Sequence, residues 1–547
     1  MTRRLIFLLT AAAFGCSGTP GESEQAGSSA ATVVTSHANN PPSYMPRSSD
    51  YAVQIRDPDD GAWKPVDVIS DVNGYQYAQF ATDGPLTVQV VAKNLTLLQG
   101  VSITPKIENY PRTISGNAVT VSLPSARYAI VTIAGISPPL VLIGDPVVSA
   151  PPDHAAGTYN IADDARTRND LNNIFNTTAA IQSAVDNASA YGSANGTRGI
   201  VFVPPGAYAL GNLTLKSNVE LYMSAGAAFF FAGNVTTDKW NYTYSTDWTS
   251  KGDGTRWIKS QPGATNIKIW GNGTFDGNSR YGTFGNNVFV LDDSSNVDVE
   301  GIVIRRGSKW GTMVGRSNHV TFANVKFFQD LFGAGEDDGI DVIESQNVTV
   351  KDSIAIAFDD TFSVKTYSGA PADNFIDFGP TADAHQPAKD ILFDGDIAWT
   401  GCHAFKVGQG AAQPESGITF QNGVVYDAAH AVSIHHKTGT ATIQNLTWQN
   451  IEVERTQQTN LGRSWAYINI EDAGAGVGSV QDVLIQGIHV RDLGADESPI
   501  NGLNATATVQ GLSFVKIRVD ALGRTGATLA DLHVAPNAFT SSVTVTP

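Results

Sequence analysis

Cysteine is nearly absent from this chain. Of 547 residues only Cys16 and Cys402 are cysteines, which excludes a disulfide framework and a cysteine-rich zinc site. Charge is scarce too. Asp, Glu, Lys and Arg make up 16% of the residues, against the ~25% usual in soluble domains. That argues against a disordered chain, a coiled coil and a charge-laced helical solenoid. Positive charge is the scarcer sign, with 35 Lys and Arg against 52 Asp and Glu and a net charge of −17. No basic stripe or Lys/Arg block occurs, so nucleic acid is not expected as a partner. The acidic balance fits an enzyme acting on a neutral polymer better than one acting on a polyanion. No segment after the first residues has the length and apolarity of a membrane span.

Hydrophobic residues amount to 42% and glycines number 53, with no three-residue period. The chain can therefore build a core, it is not collagen, and it has the glycine expected of a turn-rich β-protein. Residues 1–16 read as a targeting segment. Arg3 and Arg4 precede a short apolar run ending in Ala13-Phe14-Gly15-Cys16, which resembles a bacterial lipobox with Cys16 as the lipidated residue; an ordinary signal peptide is the alternative. Export is expected either way, to the bacterial cell surface through a lipid anchor at Cys16 or to the medium. Residues 17–46 are Ser/Gly/Thr/Ala/Asn-rich and read as a disordered tether.

From 47 to 150 short apolar alternations such as Tyr51–Arg56, Leu86–Val91, Val119–Leu123 and Tyr128–Ile133 are separated by turn residues. They predict a small antiparallel β-sandwich. Residues 176–189 predict a helix, with Ala180, Ile181, Ala184 and Val185 on one face. Beyond it one phrase recurs: Asn or Asp, an apolar/polar alternation, a Gly/Asn/Asp break, and a second alternation. It begins at Asn218, Asn266, Asn296, His319, Asn347, Asp390, Gly417, Thr442 and Asp482. A repeat of roughly 20–30 residues cannot bury its inward face alone, but stacked coils can. The fold class is thus all-β: a right-handed parallel β-helix over 158–547, capped by the helix and preceded by the sandwich. The Asn-x-Thr triplets at Asn94, Asn212, Asn347 and Asn445 read as coil corners, where Asn tolerates unusual backbone angles, rather than as glycosylation sites.

One stretch is dense in acids. Glu336, Asp337, Asp338 and Asp341 precede Asp359 and Asp360. Asp338 and Asp359 are 21 residues apart, one coil, and adjacent parallel strands lie about 4.8 Å apart. Asp338 is therefore expected beside Asp359 and Asp360. Crowded carboxylates raise the pKa of at least one of them. A protonated acid facing an ionised base is what inverting glycoside hydrolysis requires, with the carboxyl groups roughly 6.5–9.5 Å apart. A Ca²⁺ site or plain solvated Asp-Gly turns are the alternatives. No feature calls for a metal or organic cofactor.

The phrase Asp338-Gly-Ile-Asp-Val, followed by Phe358-Asp-Asp-Thr-Phe-Ser-Val-Lys365, resembles the polygalacturonase clan of glycoside hydrolases. Gly401-Cys-His-Ala-Phe-Lys-Val-Gly408 is similar to that clan's Gly-His-Gly segment. Ser433-Ile-His-His-Lys-Thr438 is similar to its Arg-Ile-Lys segment, and Val201–Tyr208 to its entry strand. The resemblance implies Asp359 as general acid, Asp338 and Asp360 as the pair that holds and deprotonates water, and His403 as the residue tuning the acid. It implies Lys437, with His435, Lys365 and Glu336, as substrate-binding residues. Three positions depart from the clan. Its Asn is Glu336 here, its Gly-His-Gly is Cys402-His403-Ala404, and its carboxylate-reading Arg is His435; bidentate recognition by Arg is not easily replaced. The sandwich ahead of a β-helix resembles the dextranase/isopullulanase and mycodextranase/α-1,3-glucanase families, which act on neutral α-glucans. The leading expectation is a secreted, inverting, endo-acting polysaccharide hydrolase on a pectic or α-glucan polymer, acting as a monomer. A pectate-lyase-like β-eliminase and a non-catalytic β-helix adhesin are the alternatives. Trp240, Tyr242, Tyr244, Trp248, Trp257 and Trp310 are candidates for stacking on sugars.

Overall fold

The computed structural model describes residues 36–38, 41–59, 61–71, 74–169, 174–232, 256–278, 287–307, 310–331, 336–367, 385–458 and 461–547. Cys16, Trp240, Tyr242, Tyr244 and Trp248 lie outside these residues. Among the described residues no helix is long and apolar enough to cross a membrane.

The front region is two stacked sheets. One pairs Lys64–Val66, Tyr51–Arg56, Leu86–Ala92, Ala118–Leu123 and Arg112–Ser115, all antiparallel. The other runs Ser36–Ala38, Gln76–Thr82, Leu140–Pro146, Tyr128–Ile133, Val101–Thr104, with Val68–Ser70 on its flank; its one parallel pair joins Leu140–Pro146 to Gln76–Thr82. Tyr128–Ile133 and Leu140–Pro146 are apolar on both faces for a reason. Ala129, Val131, Leu140 and Leu142 face the first sheet, while Tyr128, Ile130, Val141 and Ile143 pack on the β-helix, so neither face meets water. Order begins earlier than the expected tether allows. Residues 36–38 pair with Gln76–Thr82, and Met45, 1% exposed, joins the contact with the β-helix.

The helix, expected at 176–189, spans Ile174–Asn195. Ile181, Val185 and Ala188 close the first coils. Beyond it the chain winds into three sheets of 13, 12 and 11 strands among the described residues, parallel except where Arg518–Val519 pairs with Arg524–Thr525, a right-handed parallel β-helix. One interior column shows the stacking: Val297, Val320, Val348, Ile391, Ile418, Leu446, Val483 and Leu512 lie in register. A second column is aromatic, with Phe393 stacked on Phe420 and Phe420 on Trp448 at ring-centre distances of 4.7 and 5.3 Å. The recurring Asn or Asp is a corner at the start of strands of the 13-stranded sheet, just before the strand at Asn218 and at its second or third residue in later coils. Asn218, Asn266, Asn296, Asn347, Asp390, Asn445 and Asp482 have φ between 53 and 61°, a left-handed conformation that Asn and Asp reach at low cost. The corners also ladder, with Asn266 donating to Asn218 at 2.8 Å. Asn94 and Asn212 are not such corners.

The 12-stranded sheet faces the sandwich. Ala228, Val303, Phe328, Ile356, Trp399 and Tyr426 meet it from successive coils. The 11-stranded sheet therefore keeps one face free, and the acidic residues lie there.

Candidate functional site

Five neighbouring strands of the 11-stranded sheet build the site: Ile340–Ile343, Phe362–Thr366, His403–Ala411, His430–Thr438 and Ser464–Ile470. Ile340, Val342, Phe362, Val364, Phe405 and Val407 point inward and fix the register; the polar residues alternating with them point out. Ile340 pairs with Phe362, and Gly339 N–H donates to the Asp360 carbonyl at 2.8 Å. The coil is thus 22 residues here, one more than the spacing read from sequence. Asp360, not Asp359, is the direct neighbour of Asp338. One oxygen from each of Asp338, Asp359 and Asp360 still lies within 4.8 Å of the others, so the three converge. That is tighter than the expected 6.5–9.5 Å separation.

All eight residues expected to act on substrate line one cleft of about 480 Å³: Asp338, Asp359, Asp360, His403, His435, Lys437, Lys365 and Glu336. Trp310, Phe358, Cys402, Lys406, Gln409 and Leu461 complete its walls. Trp310 is 4% exposed, with the Lys365 ammonium 4.4 Å over its ring. Trp257 is not in the cleft. It is fully buried, donates to the Gly211 carbonyl at 2.9 Å, and belongs to the core, which corrects its candidacy as a sugar platform.

Two buried lysines govern the carboxylates. Lys365 Nζ is 2.6 Å from Asp338 Oδ2, 2.6 Å from Asp341 Oδ1 and 3.7 Å from Asp360 Oδ2. Lys406 Nζ is 2.6 Å from Asp360 Oδ2. Burial drives Asp338 well above the usual carboxylate range, and the Asp341 charge adds to it. Burial also raises Asp341 and Asp360, against the pull of Lys365 on the first and Lys406 on the second. Asp359 goes the other way. Burial pushes it up, but Lys406, the Cys402 thiol, Lys365 and the Glu336 N–H outweigh burial, and its pKa falls below the ordinary value. That N–H reaches Asp359 Oδ2 at 3.0 Å. Crowding does raise carboxyl pKa values here, but the proton goes to the Asp338 side of the trio, not to Asp359. Asp359 is the most exposed of the three.

Histidines form the far wall. His403 Nδ1 meets Ser433 Oγ at 2.8 Å, and its ring is 4.9 Å from His430 and 6.0 Å from His435. Burial and Lys406 hold His403 well below its ordinary pKa. Burial pushes His435 down to about 4, against the Glu471 carboxylate 2.9 Å from its Nε2. Both rings are neutral at neutral pH. Lys437 Nζ is 3.2 Å from the same Glu471. His436 points the other way and accepts from Gly478 N–H at 3.0 Å. Where the chain bends under His435, Gly408 has φ 99°, and a Cβ there would fall 2.1 Å from the His435 carbonyl.

Lys406, Asp341 and Cys402 were not singled out from sequence as site residues. The signal for Lys406 is its place on the strand: it faces out with His403 in a run that is otherwise small or apolar. Two groups have donor atoms close enough to share a cation, Asp338–Asp359–Asp360 and Asp360–Cys402–His403.

Comparison with known proteins bears on this geometry. Residues 194–533 match the model for Glycosyl hydrolases family 28. An exopolygalacturonase of Cochliobolus carbonum is 28% identical over 120 residues, 20% of this chain; the match spans 27% of that protein's length. Among solved structures, Dex49A from Penicillium minioluteum superposes with a TM-score of 0.54 at 14% identity, covering 93% of this chain and 96% of its own. The family 28 exopolygalacturonase of Yersinia enterocolitica gives 0.47 at 15% identity, covering 85% of this chain and 96% of its own.

Proposed function

The chain belongs to Glycosyl hydrolases family 28, and we propose that it hydrolyses a neutral polysaccharide, with inversion, in the cleft that holds Asp338, Asp359 and Asp360. One observation carries the substrate class. Where the resembled clan has an arginine to read a galacturonate carboxylate, this chain has His435, half-buried and neutral. The remaining cations of the described cleft are committed: Lys365 and Lys406 to the aspartates, Lys437 to Glu471. A uronate carboxylate would meet Glu336, Asp338, Asp359 and Asp360 with no unshared cation among the described lining residues. Neutral hydroxyls suit the same wall, because His435, Gln409 and Lys437 offer donors and acceptors.

Asp359, the most accessible of the trio, is the general acid. Burial is already the largest influence on it, and a sugar ring seated over it deepens that burial and favours the proton. Asp338 and Asp360 hold water between them, and Asp360, the one paired with Lys406, removes its proton. Lys365 and Lys406 pin both groups, which makes them better clamps for water than covalent nucleophiles. We propose endo action along the open face, and export with an anchor at Cys16.

New reducing ends are to be measured on dextran, pullulan, nigeran, α-1,3-glucan and polygalacturonate, with Asp359→Asn alongside. Release from a glucan, lowered roughly 10²–10⁴-fold in the variant, supports the reading. Release confined to polygalacturonate overturns the neutral-substrate assignment. NMR of the first-formed anomer separates inversion from a covalent route through Asp338 or Asp360.

A further inference from the structure

We propose that Cys402, His403 and Asp360 form a binding site for one thiophilic divalent cation of the zinc class, and that occupation of this site blocks hydrolysis. The blocking rests on the catalytic reading of Asp360; the binding does not.

The three side chains are buried and each offers a different donor. A carboxylate oxygen, a sulfur and a ring nitrogen lie within 4.8 Å of one another. Zinc ligated at about 2.0–2.3 Å in a tetrahedron sets its donors about 3.5 Å apart, so small side-chain movements close the site. Three protein donors with the fourth position open to a cleft is a common zinc arrangement.

Asp360 and His403 are prepared for the task; Cys402 is held in place, with its thiol directed at Asp359 in the metal-free site. Asp360 Oδ2 takes Lys406 at 2.6 Å, but Asp360 Oδ1 is buried with no hydrogen-bond partner, and a buried carboxylate oxygen left so is costly. A cation satisfies it. His403 has its Nδ1 held by Ser433 at 2.8 Å, the outer contact that orients a ligating imidazole, and Nε2 is left for the ligand. Cys402 is pinned by its backbone. Its N–H donates to Thr400 Oγ1 at 2.8 Å, and its carbonyl accepts from the Ala429 and His430 N–H groups, both at 3.0 Å.

Charge points the same way. Around Lys365 and Lys406, the aspartates Asp338, Asp341, Asp359 and Asp360 outnumber the ammonium groups by two. A dication offsets that surplus directly. The sulfur selects among dications, since thiolate favours zinc and cadmium over calcium and magnesium. On binding, the Cys402 S–H bond breaks, its proton leaves to solvent, and the Sγ–metal bond forms. The metal then occupies the Asp360 lone pairs that deprotonate water.

The test needs Cys402 as the sole thiol, so the full chain carries Cys16→Ser. Cobalt(II) is added without substrate. One equivalent should give a thiolate-to-cobalt charge-transfer band, displaced by Zn²⁺ but not by Mg²⁺ or Ca²⁺, and lost in Cys402→Ser. With substrate, the Zn²⁺ inhibition constant should rise at least roughly tenfold in Cys402→Ser, each rate being normalised to the same protein without metal. If the serine variant does not fold, protection of Cys402 from iodoacetamide by Zn²⁺, read by mass spectrometry in the parent, answers the same question. No band and no protection overturns the site. Inhibition by Ca²⁺ as strong as by Zn²⁺, unchanged in Cys402→Ser, overturns it in favour of Asp338–Asp359–Asp360. A cobalt band in a protein that hydrolyses no polymer leaves the binding site standing and sinks the proposed function instead.

Discussion

Behind the coils, Arg305 meets Asp71 at 3.1 Å and Asp276 at 2.8 Å, with the Tyr77 hydroxyl at 3.2 Å. Nearby, the Lys326 ammonium donates to Asp145 and to the Gly301 and Asn324 carbonyls, at 2.6, 2.7 and 3.0 Å. Both cations are as deeply buried as Lys365 and Lys406 in front. The two regions differ in balance. At the sandwich contact each of the three Lys326 donors has an acceptor, and Arg305 and Arg306 answer Asp71 and Asp276. Around Lys365 and Lys406, four aspartates answer two ammonium groups, and Asp360 keeps an orphan oxygen. Balanced buried charge holds two parts of a protein in one geometry. Unbalanced buried charge is a store of proton affinity, and such stores cluster where chemistry is done.

Removing one partner from the balanced region should have the largest effect on the fold. Arg305→Met leaves Asp71 and Asp276 short of a cation and is expected to cost roughly 3–5 kcal/mol in urea unfolding, with turnover per folded molecule unchanged; a matching fall in turnover would show that the two regions are not separable. In the unbalanced region, Lys406→Met also strands a buried carboxylate, Asp360, and should both lower stability and move the pH profile. Lys406 lowers the pKa of both Asp360 and Asp359, so without it both rise. The acid limb, where the base must ionise, and the alkaline limb, where the acid loses its proton, should both shift to higher pH by roughly one unit. A shift of either limb to lower pH reverses the assignment. The smallest effect is at the cleft wall. His435→Arg adds a cation facing Glu471 and should raise kcat/KM on galacturonate oligomers about tenfold, leaving glucan turnover little changed. No gain would mean that another group reads the sugar.

The coils were legible because their period is carried by residues with a local reason to recur: an Asn or Asp that accepts a left-handed corner, then aliphatics facing a common interior. The acidic trio was legible for the same reason, since a spacing near one coil brings distant carboxylates together. The spacing misses by one because coil length depends on turns such as that at Gly339, which alternation does not register. Lys406 and Cys402 escaped notice because their partners lie 46 and 43 residues away, at Asp360 and Asp359. The Arg305 and Lys326 contacts were not legible at all. Arg305 and Asp71 are more than 200 residues apart, and nothing periodic links them.

A stack of coils behaves as a chain of links in series, each touching only its neighbours, so weakness in one rung stays local and opens a gap there. The sandwich changes that. Through Ala228, Val303, Phe328, Ile356, Trp399 and Tyr426 it touches successive coils, and the Thr104 hydroxyl and Lys106 N–H reach Glu454 beyond them, each at 2.6 Å. It lies along the solenoid like a splint, joining in parallel what the rungs join in series. The splinted coils are the ones that carry Asp338, Asp360, His403 and His430 on their opposite side. Fraying of a single rung, the natural failure of a solenoid, is therefore most strongly opposed where one rung out of line would part the acid from its water.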